Sequence, residues 1–372
     1  MQSSLTNERS STSCGNNGIS VAVEEALRQP EVSDEAFGLM QKSGATASEI
    51  LAERFGRCTR REECQRIVEL FSATGATGVL HLRELLRTGT PEQASATVGL
   101  LSRFGSSQLE RLLHARLPGW KVAYHDQVVR QLALGAAPER GRLLAHIFSA
   151  LDRLVLPEAV DEISLCGDPS TASMLLRLGA GEMPQSADMY LRVKAIEGLG
   201  RLRDPRAIPL LREIACARSL GLWLHPEEMR IVAMQVLSKL VPEWACNFEP
   251  QSGLRSRDLR IVPLDAAELT PWARQRRYAR VPLPSNLNVA AITSQGEIPL
   301  ETKLLSLGGG IAASEARLTA GTHGRVSVSG WRCLTAGVFF REAGRKQIAF
   351  EISEMGLEDR ARLRRLLSGF SA

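Results

Sequence analysis

Residues 191–202 read LRVKAIEGLGRL, and residues 229–240 read MRIVAMQVLSKL. The two stretches align without a gap, and a looser third copy covers residues 142–154. Self-similarity at a period of a few tens of residues indicates a repeat architecture, in which stacked units bury each other's apolar faces. Identical residues occupy four aligned pairs of the two close copies, namely Arg192 and Arg230, Ala195 and Ala233, Leu199 and Leu237, and Leu202 and Leu240.

The repeats lie in a region whose pattern predicts short helices. From Val21 to about Leu240, apolar residues recur at spacings of three and four, and Gly and Pro interrupt them at short intervals. Asp-Pro at residues 168–169 and again at 204–205 predicts helix starts, because Asp can cap a helix and Pro fits its first turn. No strand-like alternation is evident in this region.

Short paired helices at this period, with DPRAIPLL at residues 204–211, resemble HEAT repeats. The resemblance is good from about Leu143 to Leu240, and only the helical pattern supports it before that. It implies a solenoid of helix pairs that binds a protein partner along its surface.

Composition excludes several other classes of protein. The 372 residues are 44% hydrophobic with a formal net charge of +5, which suits a globular chain without demanding an anionic partner. The seven cysteines include no Cys-x-x-Cys pair, which argues against a disulfide framework and a zinc site. Without a signal-peptide pattern or an apolar run of membrane-spanning length, we expect a cytoplasmic protein with no membrane span.

The pattern changes after the repeats and predicts four segments. Residues 1–20 read as a disordered tail, 21–241 as a HEAT-like helical repeat domain, 242–274 as a proline-rich linker and 275–372 as a small antiparallel β-barrel with a terminal helix. We therefore predict a multidomain α-then-β fold. The expected strands are Leu287–Ile292, Thr302–Leu305, Arg325–Val328, Leu334–Arg341 and Lys346–Ile352, and the expected helix is Leu357–Leu367.

Two motifs in the predicted barrel have the chemistry of a nucleotide site. Residues 274–280 read RQRRYAR, and their guanidinium groups suit phosphate oxygens and the O6/N7 edge of guanine. Residues 304–310 read LLSLGGG, in which glycines between two strands permit positive φ and close backbone approach to a ligand.

In this order, the two motifs resemble those of the PilZ domain. Arg276 and Arg280 match its Arg-x-x-x-Arg motif, with Arg277 beside them, and Ser306 and Gly309 match its (Asp/Asn)-x-Ser-x-x-Gly motif. The resemblance implies that these five residues bind cyclic di-GMP. We expect no cofactor, and the scattered cysteines and histidines predict no metal site. It also implies a receptor that passes second-messenger state to an unidentified protein bound by the repeats.

Other functions remain open. Leu304 stands where the PilZ motif has Asp or Asn, which favours a barrel that binds no nucleotide and a protein that acts as an interaction scaffold. A nucleic-acid binder ranks third, because acidic residues are mixed with the basic ones along the helical region. No enzyme signature motif occurs, so we expect no catalysis. Arg362, Arg364 and Arg365 are expected to form a charged helix face.

Overall fold

The computed structural model forms two compact units, Met1–Ala150 and Leu151–Ala372. None of the helices in the described part of the chain combines the length and the apolar character needed to cross a bilayer. The described residues are 8–29, 33–57, 61–104, 107–135, 139–243, 254, 259–263, 277–284, 287–293, 296–313, 318–319, 321–329, 334–344 and 347–370.

The described part of the first unit is helical. Its α1 begins at Glu8, inside the segment expected to be a disordered tail, and Ile19, Val23 and Ala26 are buried where α1 packs on α2 and α3. Burial of this apolar stripe explains why the helix forms although its N-terminal half is polar. The helices are α1 (Glu8–Arg28), α2 (Asp34–Lys42), α3 (Gly44–Arg57), α4 (Arg61–Ala73), α5 (Gly75–Thr88), α6 (Pro91–Leu101), α7 (Ser107–Arg116), α8 (Val122–Gly135) and α9 (Arg140–Ile147).

The second unit begins with the repeat helices. Asp168 and Asp204 accept hydrogen bonds from the backbone N–H groups of Ser170 and Arg206, both at 2.9 Å, and so cap the short turns that lead into α11 and α13. The two Asp-Pro helix starts are thereby confirmed. The helices are α10 (Leu156–Leu165), α11 (Ala172–Ala180), α12 (Met189–Leu202), α13 (Ile208–Cys216) and α14 (Glu227–Leu240).

The two close sequence copies are α12 and α14, which pack against each other. Ala195 and its counterpart Ala233 are fully buried, as are most of the aligned apolar residues. Gly200 lets the helices approach closely, because a Cβ there would lie 2.7 Å from Cγ2 of Val236. Helix α12 also packs on α10 and α11, so these helices stack as the repeat pattern predicts.

One element of this region was not predicted. A hairpin of two-residue strands, β1 (Arg218–Ser219) and β2 (Leu222–Trp223), connects α13 to α14. The sequence before Leu240, in which no strand-like alternation is evident, therefore does contain strands. Alternation cannot be recognised in strands this short.

The C-terminal part of the second unit is an antiparallel barrel. Six strands close it in the order β5-β4-β7-β8-β9-β6, with β6 pairing back to β5, and the short β3 pairs with β5. The predicted fold class is thus confirmed. The strands are β3 (Val281–Pro282), β4 (Asn288–Thr293), β5 (Gly296–Ser306), β6 (Gly309–Ala313), β7 (His323–Ser329), β8 (Leu334–Gly344) and β9 (Gln347–Met355).

Each predicted strand overlaps an observed one, but β3 and β6 are absent from the predicted set. Strand β3 has only two residues, and β6 begins with two glycines. Helix α15 (Leu357–Phe370) packs on α14, β3 and β8, and its Leu363 and Leu367 join the barrel core. The last repeats and the barrel thus lie in one compact unit, whose boundary at Ala150 falls inside the predicted repeat domain.

Candidate functional site

The glycine-rich motif forms the tight turn between β5 and β6. The Ser306 hydroxyl donates to the carbonyl oxygen of Gly309 at 2.9 Å and accepts from the N–H of Gly308 at 3.3 Å. Gly309 has a φ of 142°, and a Cβ there would lie 2.0 Å from the carbonyl oxygen of Phe350 on β9. Both motif residues therefore have a structural task in closing the barrel, whether or not they also contact a ligand.

The arginine motif lies against this turn. The Tyr278 ring packs on Gly308, where a Cβ would lie 2.7 Å from the ring's Cδ2 atom. Gly309 pairs with Glu351 across β6 and β9, and Glu351 binds Arg277. The structure therefore brings together the two motifs that the sequence separates by about twenty-five residues.

Arg277 is buried among carboxylates from two parts of the unit. Its Nη atoms lie 2.9 Å from Glu162 Oε1 and 2.9 Å from Glu351 Oε1, and its Nε lies 3.3 Å from Asp161 Oδ2. Glu158 Oε1 is 3.4 Å from Nη2. Three of these carboxylates belong to α10 and one to β9, so Arg277 fastens the barrel to a repeat helix.

Ion pairs continue from Asp161 to the repeat helix α12. Asp161 binds Lys194 and accepts from Arg201 at 2.8 Å. Lys194 donates to the Tyr278 hydroxyl at 3.1 Å, and that hydroxyl donates to Glu197. Tyr278 thus links a cation and a carboxylate that lie one turn apart on α12.

The series of ion pairs extends to α15. Arg360 binds Glu197, and its Nε lies 2.8 Å from Glu228 Oε1 on α14. Arg364 also binds Glu228, with Nη2 2.7 Å from Oε1, and donates to the carbonyl oxygen of Ile261. Both arginines are fully buried, so the expected charged helix face at residues 362, 364 and 365 is wrong for Arg364.

We call this set of side chains the buried network. Within the described part of the second unit it holds as many cations as carboxylates, which is the condition for burying so many charges. Its fixed geometry sets how the barrel meets α10, α12 and α14. Its members are Lys194, Arg201, Arg277, Arg341, Arg360 and Arg364 with Glu158, Asp161, Glu162, Glu197, Glu228 and Glu351.

The network shifts the acidity of its members. Burial alone would raise the pKa of Asp161, but the charges of Lys194, Arg201 and Arg277 outweigh it and lower the pKa to about 2. Burial and the neighbouring Glu197 raise the pKa of the Tyr278 hydroxyl well above its usual range. Asp161 therefore stays ionised and Tyr278 stays neutral at any physiological pH.

The five predicted ligand residues fall into three groups. Arg276 lies outside the described residues, and Arg280 is partly exposed just before β3. Arg277, Ser306 and Gly309 are buried and make the contacts given above. Their role in binding a nucleotide stays a prediction, and Arg277 would have to exchange carboxylates for phosphates to take part.

Sequence reasoning missed most of the buried network, although its signal is present. In the repeat helix α12, Lys194, Glu197 and Arg201 recur at spacings of three and four among apolar residues, which places three charges on one helix face. Arg360 and Arg364 on α15 are also one turn apart. Matching charged stripes on otherwise apolar helices indicate helices that pack through ion pairs.

Among the described residues, no group of three or more His, Cys, Asp or Glu is arranged to hold a metal ion. The Cys166 thiol donates a hydrogen bond to the carbonyl oxygen of Glu162 at 2.9 Å.

Comparison with known proteins supports the repeat part of this description. A family model, the PBS lyase HEAT-like repeat, matches residues 191–215, which span most of α12 and α13. No curated protein matches the chain. No solved structure matches it either. The match covers one repeat, formed by α12, whose sequence recurs in α14, and by α13, which follows the Asp-Pro turn at residues 204–205.

Proposed function

We propose that this chain is a non-catalytic adaptor that receives cyclic di-GMP on its PilZ-like barrel and passes the ligand state to a protein bound by the repeats. The observation that carries the proposal is the contact between Tyr278 and Gly308. It joins the arginine segment to the turn formed by Ser306 and Gly309, as a shared ligand site requires.

Within this site we assign different tasks to neighbouring arginines. Arg277 anchors the segment, because α10 and β9 already surround its guanidinium group with carboxylates. Arg276 and Arg280 lie on either side of this anchor in the sequence and are the pair that would clamp phosphates and guanine edges. A ligand held there would bear on the segment that fastens the barrel to the repeats, so its binding could alter that attachment through differential affinity.

Isothermal titration of the full chain with cyclic di-GMP tests the proposal. We expect micromolar or tighter binding that an R276A/R280A double variant loses. Arg325→Ala is the matched control, since it removes an exposed arginine from strand β7 of the same barrel. Absence of both heat and a thermal shift at saturating nucleotide would refute the nucleotide part of the proposal.

A scaffold without nucleotide is the second candidate, and Leu304 favours it. This half-buried residue pairs with Pro282 on β3 and Ile311 on β6, and its side chain offers no acceptor for a guanine N–H. In this alternative the buried network holds the barrel on the repeats permanently. Unchanged melting temperature with and without nucleotide, combined with retained partner binding, is the result this alternative predicts.

A further inference from the structure

One buried side chain, Tyr278, contacts both the candidate ligand site and a repeat helix. Its ring lies against the β5–β6 turn, where a Cβ on Gly308 would be 2.7 Å from Cδ2 and 2.9 Å from Cε2. At the far end of the same ring, the hydroxyl accepts a hydrogen bond from Lys194 at 3.1 Å and donates one to Glu197. Tyr278 therefore touches the site with its ring and helix α12 with its hydroxyl.

The turn on which the ring packs is attached firmly to the barrel. Leu307 is fully buried in the barrel core, and the N–H of Ile352 on β9 donates to the carbonyl oxygen of Gly308 at 2.9 Å. Protein interiors are close-packed and transmit strain. A change at the turn is therefore expected to displace the ring that packs on it.

The hydroxyl of Tyr278 lies among charged groups of the buried network. Besides its contacts with Lys194 and Glu197, it lies 3.4 Å from Nη2 of Arg360. Hydrogen bonds to charged groups are the stronger ones, and all hydrogen bonds weaken steeply as their geometry departs from the preferred one. A small displacement of the ring therefore changes how the two charged side chains of α12 are paired.

Packing on the turn alone does not explain a tyrosine at this position. A phenylalanine ring would cover Gly308 equally well, and burying a hydroxyl costs free energy unless the hydroxyl is hydrogen-bonded. Lys194 and Glu197 supply those hydrogen bonds from one face of α12. The hydroxyl thus adds an attachment to the repeats that the contact with the turn does not need.

We propose that Tyr278 is a positioning residue that transmits a change in the ligand site to helix α12. Its ring follows the glycine turn, and its hydroxyl passes the displacement to Lys194 and Glu197. Helix α12 belongs to the repeat that the family model matches, so the change reaches the part of the chain that is proposed to bind a protein. This inference rests on the nucleotide site proposed above and adds the route by which that site acts on the repeats.

The three tyrosines of the chain provide the reporters for a test. Tyr278 lies in the arginine segment, Tyr190 in the first turn of α12 and Tyr124 on α8 of the first unit. Fluorine NMR of the full chain labelled with fluorotyrosine therefore follows the site, the repeat helix and a control position in one spectrum. The Tyr278→Phe variant identifies the Tyr278 resonance by its loss.

Gly308→Ala tests the transmission without a ligand. Its Cβ displaces the Tyr278 ring, so we expect the resonances of Tyr278 and Tyr190 to shift and that of Tyr124 to stay in place. In the Tyr278→Phe background the same substitution should leave the Tyr190 resonance unshifted, because the hydroxyl that carries the displacement is absent.

Gly324→Ala is the matched control, because its Cβ would lie 2.7 Å from Cε2 of Phe340, another buried ring of the same barrel. It should leave the Tyr190 resonance in place. An equal shift of Tyr190 in this control would overturn the proposal. An unshifted Tyr190 in Gly308→Ala would also overturn it, as would a shift that persists in the Tyr278→Phe background.

Saturating cyclic di-GMP gives a second measurement that needs no substitution in the turn and stands even if Gly308→Ala fails to fold. We expect the nucleotide to shift Tyr278 and Tyr190 in the wild-type chain, and to leave Tyr190 unshifted in Tyr278→Phe at a concentration that saturates that variant.

The outcomes separate this inference from the proposed function. A nucleotide-induced shift of Tyr278 without Tyr190, or a Tyr190 shift that persists in Tyr278→Phe, would overturn the role of Tyr278 and leave the receptor standing. Loss of nucleotide binding in Tyr278→Phe would also overturn it, since the hydroxyl would then serve the ligand site itself. Absence of any shift and of any heat of binding would overturn the nucleotide site, and the Gly308→Ala spectra would then decide the transmission alone.

Discussion

Glu228 offers the sharpest test of the buried network, because its neighbour Glu227 is a natural control. Both residues lie in the first turn of α14, yet the Glu228 side chain is 1% exposed and the Glu227 side chain 51%. Glu228 binds Arg360 and Arg364 at close range, whereas the carboxylate of Glu227 lies 3.9 Å from the guanidinium group of Arg365. The same substitution, Glu to Gln, can therefore be made in two adjacent but opposite environments.

We expect Glu228→Gln to lower the free energy of unfolding of the second unit by about 3 kcal/mol. The variant leaves two buried guanidinium groups facing a neutral amide, and breaking a buried ion pair typically costs about 3–5 kcal/mol. The lower end applies because the amide oxygen still accepts one hydrogen bond. Glu227→Gln should change the free energy by less than about 1 kcal/mol, as is usual for an exposed pair.

Hydrogen–deuterium exchange of the full chain measures this difference where it arises. Peptides from α14 and α15 should exchange faster in Glu228→Gln, while those from α3 and α5 in the first unit should be unchanged. Chemical denaturation then gives the free energy. If the two variants cost the same, the arginines on α15 are not paired as described and the buried network does not fix the barrel on the repeats.

Three further predictions concern single groups. Because the pKa of Asp161 is lowered from 3.8 to about 2, its ion pairs should add about 2 kcal/mol to the free energy of unfolding above pH 4. This contribution should disappear as the pH falls towards 2. Asp161→Asn should make the free energy of unfolding less dependent on pH in this range. Gly309→Ala should cost at least about 3 kcal/mol by thermal denaturation, because its Cβ would meet the Phe350 carbonyl, whereas Gly369→Ala, with open space around it, should cost nothing. Burial raises the pKa of Tyr190 and Tyr278, so both should remain neutral in the folded protein above pH 10. Tyrosinate absorbance should therefore rise fully only on unfolding, and the free energy of unfolding should fall as the pH rises past 10. Ionisation of all three tyrosines in the folded protein near pH 10 would contradict the burial of these two.

The repeats and most of the barrel strands could be predicted because their signals are local. Ala195 and Ala233 occupy the same position in two copies of one helix sequence, and Asp204 caps a turn formed by its immediate neighbours. Strand β6 gave no such signal. Its glycines are selected by close contact with β9, as the approach of Gly309 to Phe350 shows, and that contact depends on residues far along the chain.

The task of Arg277 could not be predicted for the same reason. Its motif resembles a ligand site, but its carboxylate partners on α10 lie more than 110 residues away in sequence. Only packing decides whether such an arginine meets a phosphate or a carboxylate, since both accept the same guanidinium geometry. A charged residue at an otherwise apolar helix position, such as Lys194, is the sequence signal that indicates pairing with carboxylates.

The buried network also bears on the order in which the protein can be completed during synthesis. Glu197 and Glu228 meet Arg360 only after more than 130 further residues have been added. Until α15 emerges from the ribosome, the repeat helices carry carboxylates without their cations, and the second unit cannot close. Chains that end before α15 would keep these charges unpaired and form an open, protease-sensitive unit. The stability of α12 and α14 therefore depends on a helix that is synthesised long after them.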